Sequence, residues 1–110
     1  MNTELYRPWF AHYEDFVSRT VEIWDKPLYS LLDEAAAAYP HRNALIFQNT
    51  RITYKSLLER AELFAGALRR MGVEPGQRVA IMLPNLPQTM IAFWGAIKAG
   101  AVVVMTNPLY

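Results

Sequence analysis

Residues 79–105 read VAIMLPNLPQTMIAFWGAIKAGAVVVM, and this stretch decides the fold. Its two ends, Val79-Ala80-Ile81-Met82-Leu83 and Ala101-Val102-Val103-Val104-Met105, are short and continuously apolar. Neither alternates with polar residues, so each is expected to be a strand covered on both faces. Between them, Pro87 to Ala99 has the length of a helix. Gly100 is placed to stop it, and Lys98 sits at its negative end. Strand, helix and strand with short connections predict a right-handed βαβ unit of parallel strands.

Upstream, Leu57, Leu58, Ala61, Phe64, Ala65, Leu68 and Met71 recur at helical spacing and form one apolar face. Lys55, Glu59, Arg60, Glu62 and Arg69 point elsewhere. Thr53 suits the N-cap, Gly72 the C′ position, and Arg69 and Arg70 the last turn. Before this helix, Ala44-Leu45-Ile46-Phe47 and Arg51-Ile52-Thr53 read as two short strands. Asn49 between them tolerates the positive φ of a tight turn. Earlier still, Leu28, Leu31, Leu32, Ala35 and Tyr39 form a second apolar stripe. Pro27 suits the first turn of that helix, Asp25 is placed as a capping acid, and Tyr39-Pro40 ends it. Residues 1–26 read as an extended, aromatic-rich strap. Trp9, Phe10, Tyr13, Phe16 and Trp24 are expected to pack onto the body, because aromatics carry large apolar area. Thr20-Val21-Glu22-Ile23 alternates and is β-branched, as an extended segment would.

The fold class is therefore α/β: an incomplete layered fragment with two apolar-stripe helices, a short hairpin and a βαβ unit of parallel strands. Two domains are expected, the strap over 1–26 and the layered body over 27–110. With 53% apolar and 19% charged residues in 110, the chain can build a core. Eleven basic against ten acidic side chains give a net charge of +1. No broad field recruits nucleic acid or anionic lipid. There is no cysteine, which excludes disulfides and thiolate metal sites. The start, Met1-Asn2-Thr3-Glu4, lacks the basic and apolar segments of a signal peptide. The longest apolar run, Met90 to Ile97, falls far short of the roughly 20 residues of a membrane span.

A βαβ unit invites a nucleotide reading, which the loop argues against. Phosphate binding at such a turn needs glycines, so that backbone N–H groups can approach the pyrophosphate. Here the turn is Leu83-Pro84-Asn85-Leu86-Pro87, without glycine and with two prolines that carry no N–H. Neither G-x-x-x-x-G-K-[ST] nor G-x-G-x-x-G occurs. Asn85 reads as a helix N-cap or turn former. His12 and His41 are isolated from metal-ligating partners. Asp33 and Glu34 read as a solvated helix face. Ser18, Ser30 and Ser56 lack a G-x-S-x-G context, and Arg69-Arg70 is too small for a basic patch. No residue is assigned a catalytic, cofactor-binding or metal-binding role.

From Pro27 onward the string resembles the N-terminal region of the adenylate-forming (AMP-binding) superfamily, most closely the long-chain fatty-acid–CoA ligases. The resemblance rests on Pro27-Leu28-Tyr29 with Leu32, Arg51-Ile52-Thr53-Tyr54 with Leu57-Leu58, and Ala65 with Ala67-Leu68. It continues through Gly72-Val73, Pro75-Gly76, Arg78 to Asn85, Lys98 to Val104 and Asn107-Pro108-Leu109-Tyr110. Gln77 departs from the aspartate usual after Pro-Gly, at a turn before a strand. The resemblance implies an enzyme that couples a fatty acid to coenzyme A through an acyl-adenylate, using ATP and Mg2+ and releasing AMP and pyrophosphate. It also implies that the phosphate loop, adenine pocket, magnesium-binding glutamate and catalytic lysine come later in such chains. The matched segments are mainly scaffold.

On that reading the chain is expected to be part of a larger ligase and inactive alone. Its partners would be fatty acid, ATP and CoA in the parent, together with the rest of the ligase chain. A cytoplasmic location is implied, with peripheral membrane contact in the parent. Two apolar strands without neighbours are expected to expose sheet edges, favouring self-association. The alternative is a stand-alone, non-enzymatic interaction module on a ligase-like scaffold. A small nucleotide-binding βαβ protein is disfavoured by the glycine-free loop.

Overall fold

In a computed structural model, residues 6–110 are described. They form a 3-10 turn, Pro8–His12, followed by α1 (Ser30–Ala38), β1 (Asn43–Phe47), β2 (Thr50–Thr53), α2 (Tyr54–Arg70), β3 (Arg78–Ile81), α3 (Pro87–Lys98) and β4 (Val102–Met105). β1 and β2 are an antiparallel hairpin. β3 and β4 pair in parallel, with Val79 opposite Val103 and Ile81 opposite Met105. The α/β architecture, the hairpin and the parallel βαβ unit match the sequence reading.

The central layer is the α2/α3 pair. Ala61, Ala65, Gly95, Ala96 and Ala99 are all buried at or beside this interface. Small residues let the two backbones approach closely: a Cβ added at Gly95 would stand 2.8 Å from the Ala61 carbonyl oxygen and 2.6 Å from Phe64 Cδ1. One end of the pair packs with Leu32 of α1 and Ile52 of β2 around Leu57 and Ala61. The other end, built on Ala65, Leu68, Ala96 and Ala99, packs on Val79 and Val103 of the parallel strands.

The helix ends follow sequence chemistry. Thr53 Oγ1 accepts the Ser56 N–H at 3.1 Å, capping α2. Gly72, at φ 94°, and Gly100, at φ 85°, stand at the C′ positions of α2 and α3. Each closes a Schellman motif: Gly72 N–H to Arg69 carbonyl and Val73 N–H to Leu68 carbonyl, then Gly100 N–H to Ile97 carbonyl and Ala101 N–H to Ala96 carbonyl. The Arg69 guanidinium also donates to the Lys98 carbonyl at 2.7 Å, tying the two helix ends together.

Five local expectations are corrected. The first helix begins at Ser30, after a turn in which the Ser30 and Leu31 N–H groups bond to the Pro27 and Leu28 carbonyls. Its N-cap is Tyr29, with no side-chain cap, so Asp25 does not serve there. The side of α1 that is buried carries Leu32 and Ala36, whereas Leu28, Leu31 and Tyr39 are about half exposed. In the hairpin turn the positive φ falls on Gln48, at 53°, and not on Asn49. The N-cap of α3 is Leu86, again without a side-chain cap, so Asn85 is a turn residue only.

Two larger expectations also change. The parallel strands are covered on one face. Ala80, Met82, Val102 and Val104 lie on the other and are exposed, because among the described residues β3 and β4 form a two-stranded sheet with helices on one side. Among the described residues of the strap, none is buried against the body. Phe10 gathers Trp9, Tyr13 and the guanidinium groups of Arg7 and Arg19 about itself. Phe16, Val21 and Ile23 each remain 87% exposed. The Cα radius of gyration is accordingly 18.7 Å, against about 13 Å for a compact chain of this length.

Candidate functional site

The carboxyl ends of β3 and β4 lie side by side, and in parallel sheets that end is where ligands are taken. Here the chain leaves β3 through Leu83-Pro84-Asn85-Leu86 and leaves β4 through Thr106-Asn107-Pro108. Between the two loops is an open cleft of about 460 Å³. Thr106 N–H donates to the Ile81 carbonyl at 2.9 Å, extending the ladder one step past Met105. Asn107 folds the second loop by accepting the Leu109 N–H on Oδ1 at 2.9 Å. A second hollow, about 260 Å³, separates the hairpin residues Leu45, Ile46 and Phe47 from Leu86, Pro87 and Met90 at the start of α3. Asn85 borders both.

The chemistry of this region is limited by its side chains. The linings of both hollows contain no charged residue. The start of α3 is a poor phosphate cradle: Pro87 at its first position has no N–H, and the Thr89 N–H is already bonded to the Leu86 carbonyl at 3.1 Å. Thr89 is itself buried, and its hydroxyl donates back to the Pro84 carbonyl. That bond holds the loop against the helix. The site can therefore take an apolar or neutral group; it offers nothing to neutralise a triphosphate. Among the described residues, no group of three or more His, Asp or Glu side chains could hold a metal ion. No described helix is long and apolar enough to cross a membrane.

The other polar residues weighed in the sequence are scattered. His12 ends the 3-10 turn and His41 lies in the exposed turn after Pro40. Ser18 bonds to the Thr20 carbonyl, and Ser30 to that of Pro27. Glu34 pairs with Lys26 on the surface at 2.8 Å. Asp33 behaves differently from the solvated acid expected. Its Oδ1 accepts from Lys98 Nζ at 2.6 Å, across 65 residues of sequence. Lys98 is 14% exposed, also reaches Glu62 at 3.9 Å, and stands 5.2 Å from the Tyr29 ring centroid. The lysine thus joins α1, α2 and α3. Its place at a helix end was legible from sequence; its partners were not, since they come from two other helices.

The chain has relatives among known proteins. The model of the AMP-binding enzyme family matches residues 32–110. A long-chain-fatty-acid–CoA ligase of Bacillus subtilis is 39% identical over 104 residues, which are 94% of this chain and 19% of the relative. Triostin synthetase I of Streptomyces triostinicus is 34% identical over 92% of this chain and 19% of its own length. Among solved structures, the Klebsiella oxytoca NpsA N-terminal subdomain in complex with 3-hydroxyanthranilyl-AMSN superposes with a TM-score of 0.75 at 33% identity. That match covers 77% of this chain and 22% of the neighbour. The chain thus spans about a fifth of the length of the proteins it matches. It belongs to the AMP-binding enzyme family, and the layered α/β unit described above is part of an adenylation domain.

Proposed function

We propose that this chain supplies the N-terminal framework of a long-chain fatty-acid–CoA ligase. The whole protein would convert a fatty acid, ATP and CoA into acyl-CoA, AMP and pyrophosphate, with Mg2+ assisting. Residues 27–110 would be the first part of its large domain and residues 1–26 a strap. The observation that carries the reading is the alignment of the Bacillus ligase along nearly the whole chain, strap included. The uncharged linings and proline-blocked turn at the carboxyl ends of the strands support assigning no catalytic, nucleotide-binding or metal-binding residue to this segment. Its part in the reaction is to hold the sheet and the helix pair on which such residues would be mounted. In the cell the protein would work in the cytoplasm, with peripheral contact to membranes that supply its lipid-like substrate.

Two measurements test this. Calorimetric titration of the 110-residue chain with Mg·ATP and with a long-chain fatty acid is expected to show no saturable binding. Tight ATP binding by the chain alone would overturn the assignment. In a longer protein carrying this segment, acid-dependent ATP–pyrophosphate exchange should be supported by fatty acids. A second reading has its own support: triostin synthetase I and the NpsA subdomain are relatives as well. Exchange driven by amino or aryl acids, with none from fatty acids, would establish that reading in place of the first.

A further inference from the structure

We infer that Lys98 sets the seat of α1: its ammonium decides which side of that helix meets the α2/α3 pair. The inference is independent of the reaction proposed above. The apolar residues of α1 cover a wide arc. At about 100° per residue, Ala38, Leu31, Ala35, Leu32 and Ala36 follow one another around the helix over about 160°. Ala35 is nearest the middle of that arc, so hydrophobic burial alone would turn Leu31, Ala35 and Leu32 inward together. The observed seat is off-centre. Leu32 and Ala36, at one end of the arc, are buried, Ala35 is half-buried, and Leu31 and Ala38 are exposed.

Just beyond the buried end stand Tyr29 and Asp33, one turn apart on the same side of the helix. Both lie on Lys98. Asp33 Oδ1 accepts from its Nζ at 2.6 Å, and the Tyr29 ring centroid is 5.2 Å away. The lysine is itself fixed by the helix pair. Its carbonyl accepts from the Arg69 guanidinium of α2 at 2.7 Å, Glu62 of α2 stands 3.9 Å from Nζ, and its side chain is 14% exposed.

Turning α1 by about 60°, to centre the seat on Ala35, would move a side chain at the helix rim by about 5 Å. Asp33 would leave hydrogen-bond range, and the lysine would keep only the longer contact to Glu62. A charge so far removed from water loses more by that than the helix gains from a better-centred apolar face. α1 therefore docks on a fixed cation, and the apolar contacts follow. Its other ion pair, Glu34 with Lys26, is exposed and joins α1 only to the segment before it. Only the side facing α2 and α3 is at issue, so the inference does not depend on what else covers Leu31.

Methyl NOE spectroscopy of the 110-residue chain, with leucine and alanine methyls labelled, reads the seat directly. In the wild type Leu32 should show cross-peaks to Leu57 and Ala61, with which it clusters, and Leu31 much weaker ones. In Lys98→Met and in Asp33→Asn the fold should persist, while the ratio of Leu31 to Leu32 cross-peaks to that cluster rises at least about fivefold. Lys26→Met should leave the ratio at its wild-type value. A wild-type ratio in Asp33→Asn overturns the proposal, as does an equal rise in Lys26→Met. An ion pair that only stabilises would lower the unfolding midpoint of the first two variants and leave the ratio unmoved. If Lys98→Met fails to fold, Asp33→Asn, at a side chain 40% exposed, carries the test.

Discussion

Gly95 is the residue on which the helix pair turns. Its missing side chain leaves room for Phe64 and for the Ala61 carbonyl, so Gly95→Ala forces a clash that backbone must relieve. The substitution is expected to lower stability by about 1–3 kcal/mol in urea unfolding. Gly66 is the control. It too is helical, but the nearest atom to an added Cβ is the Arg70 guanidinium at 3.5 Å. Gly66→Ala should stabilise, by up to about 1 kcal/mol, since alanine is the better helix former. Lys98 gives a third residue-scale prediction. Lys98→Met keeps the packed stem but removes the charge between Asp33 and Glu62. A loss of about 1 kcal/mol is expected, because Asp33 is 40% exposed and screened. The difference from wild type should narrow at about 1 M salt, where the Debye length is about 3 Å.

At the scale of the element, α2 is the part most completely specified by local chemistry. It has a threonine cap, an apolar stripe, basic residues in its last turn and a left-handed glycine after it. Thr53→Ala should cost about 1 kcal/mol by leaving the Ser56 N–H without its partner. The two terminating glycines should not respond equally to alanine. Gly72 has open space around it, so Gly72→Ala meets only the positive-φ cost, about 1 kcal/mol. At Gly100 the added Cβ would also stand 3.1 Å from Pro75 Cβ, and Gly100→Ala should be the more damaging. Chemical denaturation of the two variants side by side gives the order.

The whole molecule is a body with a projecting arm, 53 Å long and 32 Å across. Among its described residues the arm contributes no buried residue, and its tie to the body includes the surface pair Lys26–Glu34. Removing residues 1–26 should therefore change the unfolding midpoint little, while the radius of gyration by small-angle scattering falls toward about 12 Å. A large drop in midpoint would show that the strap packs on the body in solution.

Helix and strand identities, the caps of α2, the glycine that ends α3 and the family were legible in the amino-acid string. They depend on periodicity, on glycine at left-handed positions and on runs such as Arg78 to Asn85, all of which are local. That Pro84 and Pro87 give the Leu83–Pro87 turn no N–H donor was legible for the same reason, because proline lacks an N–H wherever it is placed. Other features needed the folded chain. Apolar runs in β3 and β4 implied two covered faces, but coverage depends on which neighbours are present, and among the described residues one face of this sheet has none. Aromatic content implied a packed strap, but packing needs a complementary surface, and these rings gathered on one another instead. Asp33 read as solvated because its cation lies 65 positions away. Short-range chemistry wrote the elements; the meeting of α1, α2 and α3 around Lys98 was decided only when distant segments came together.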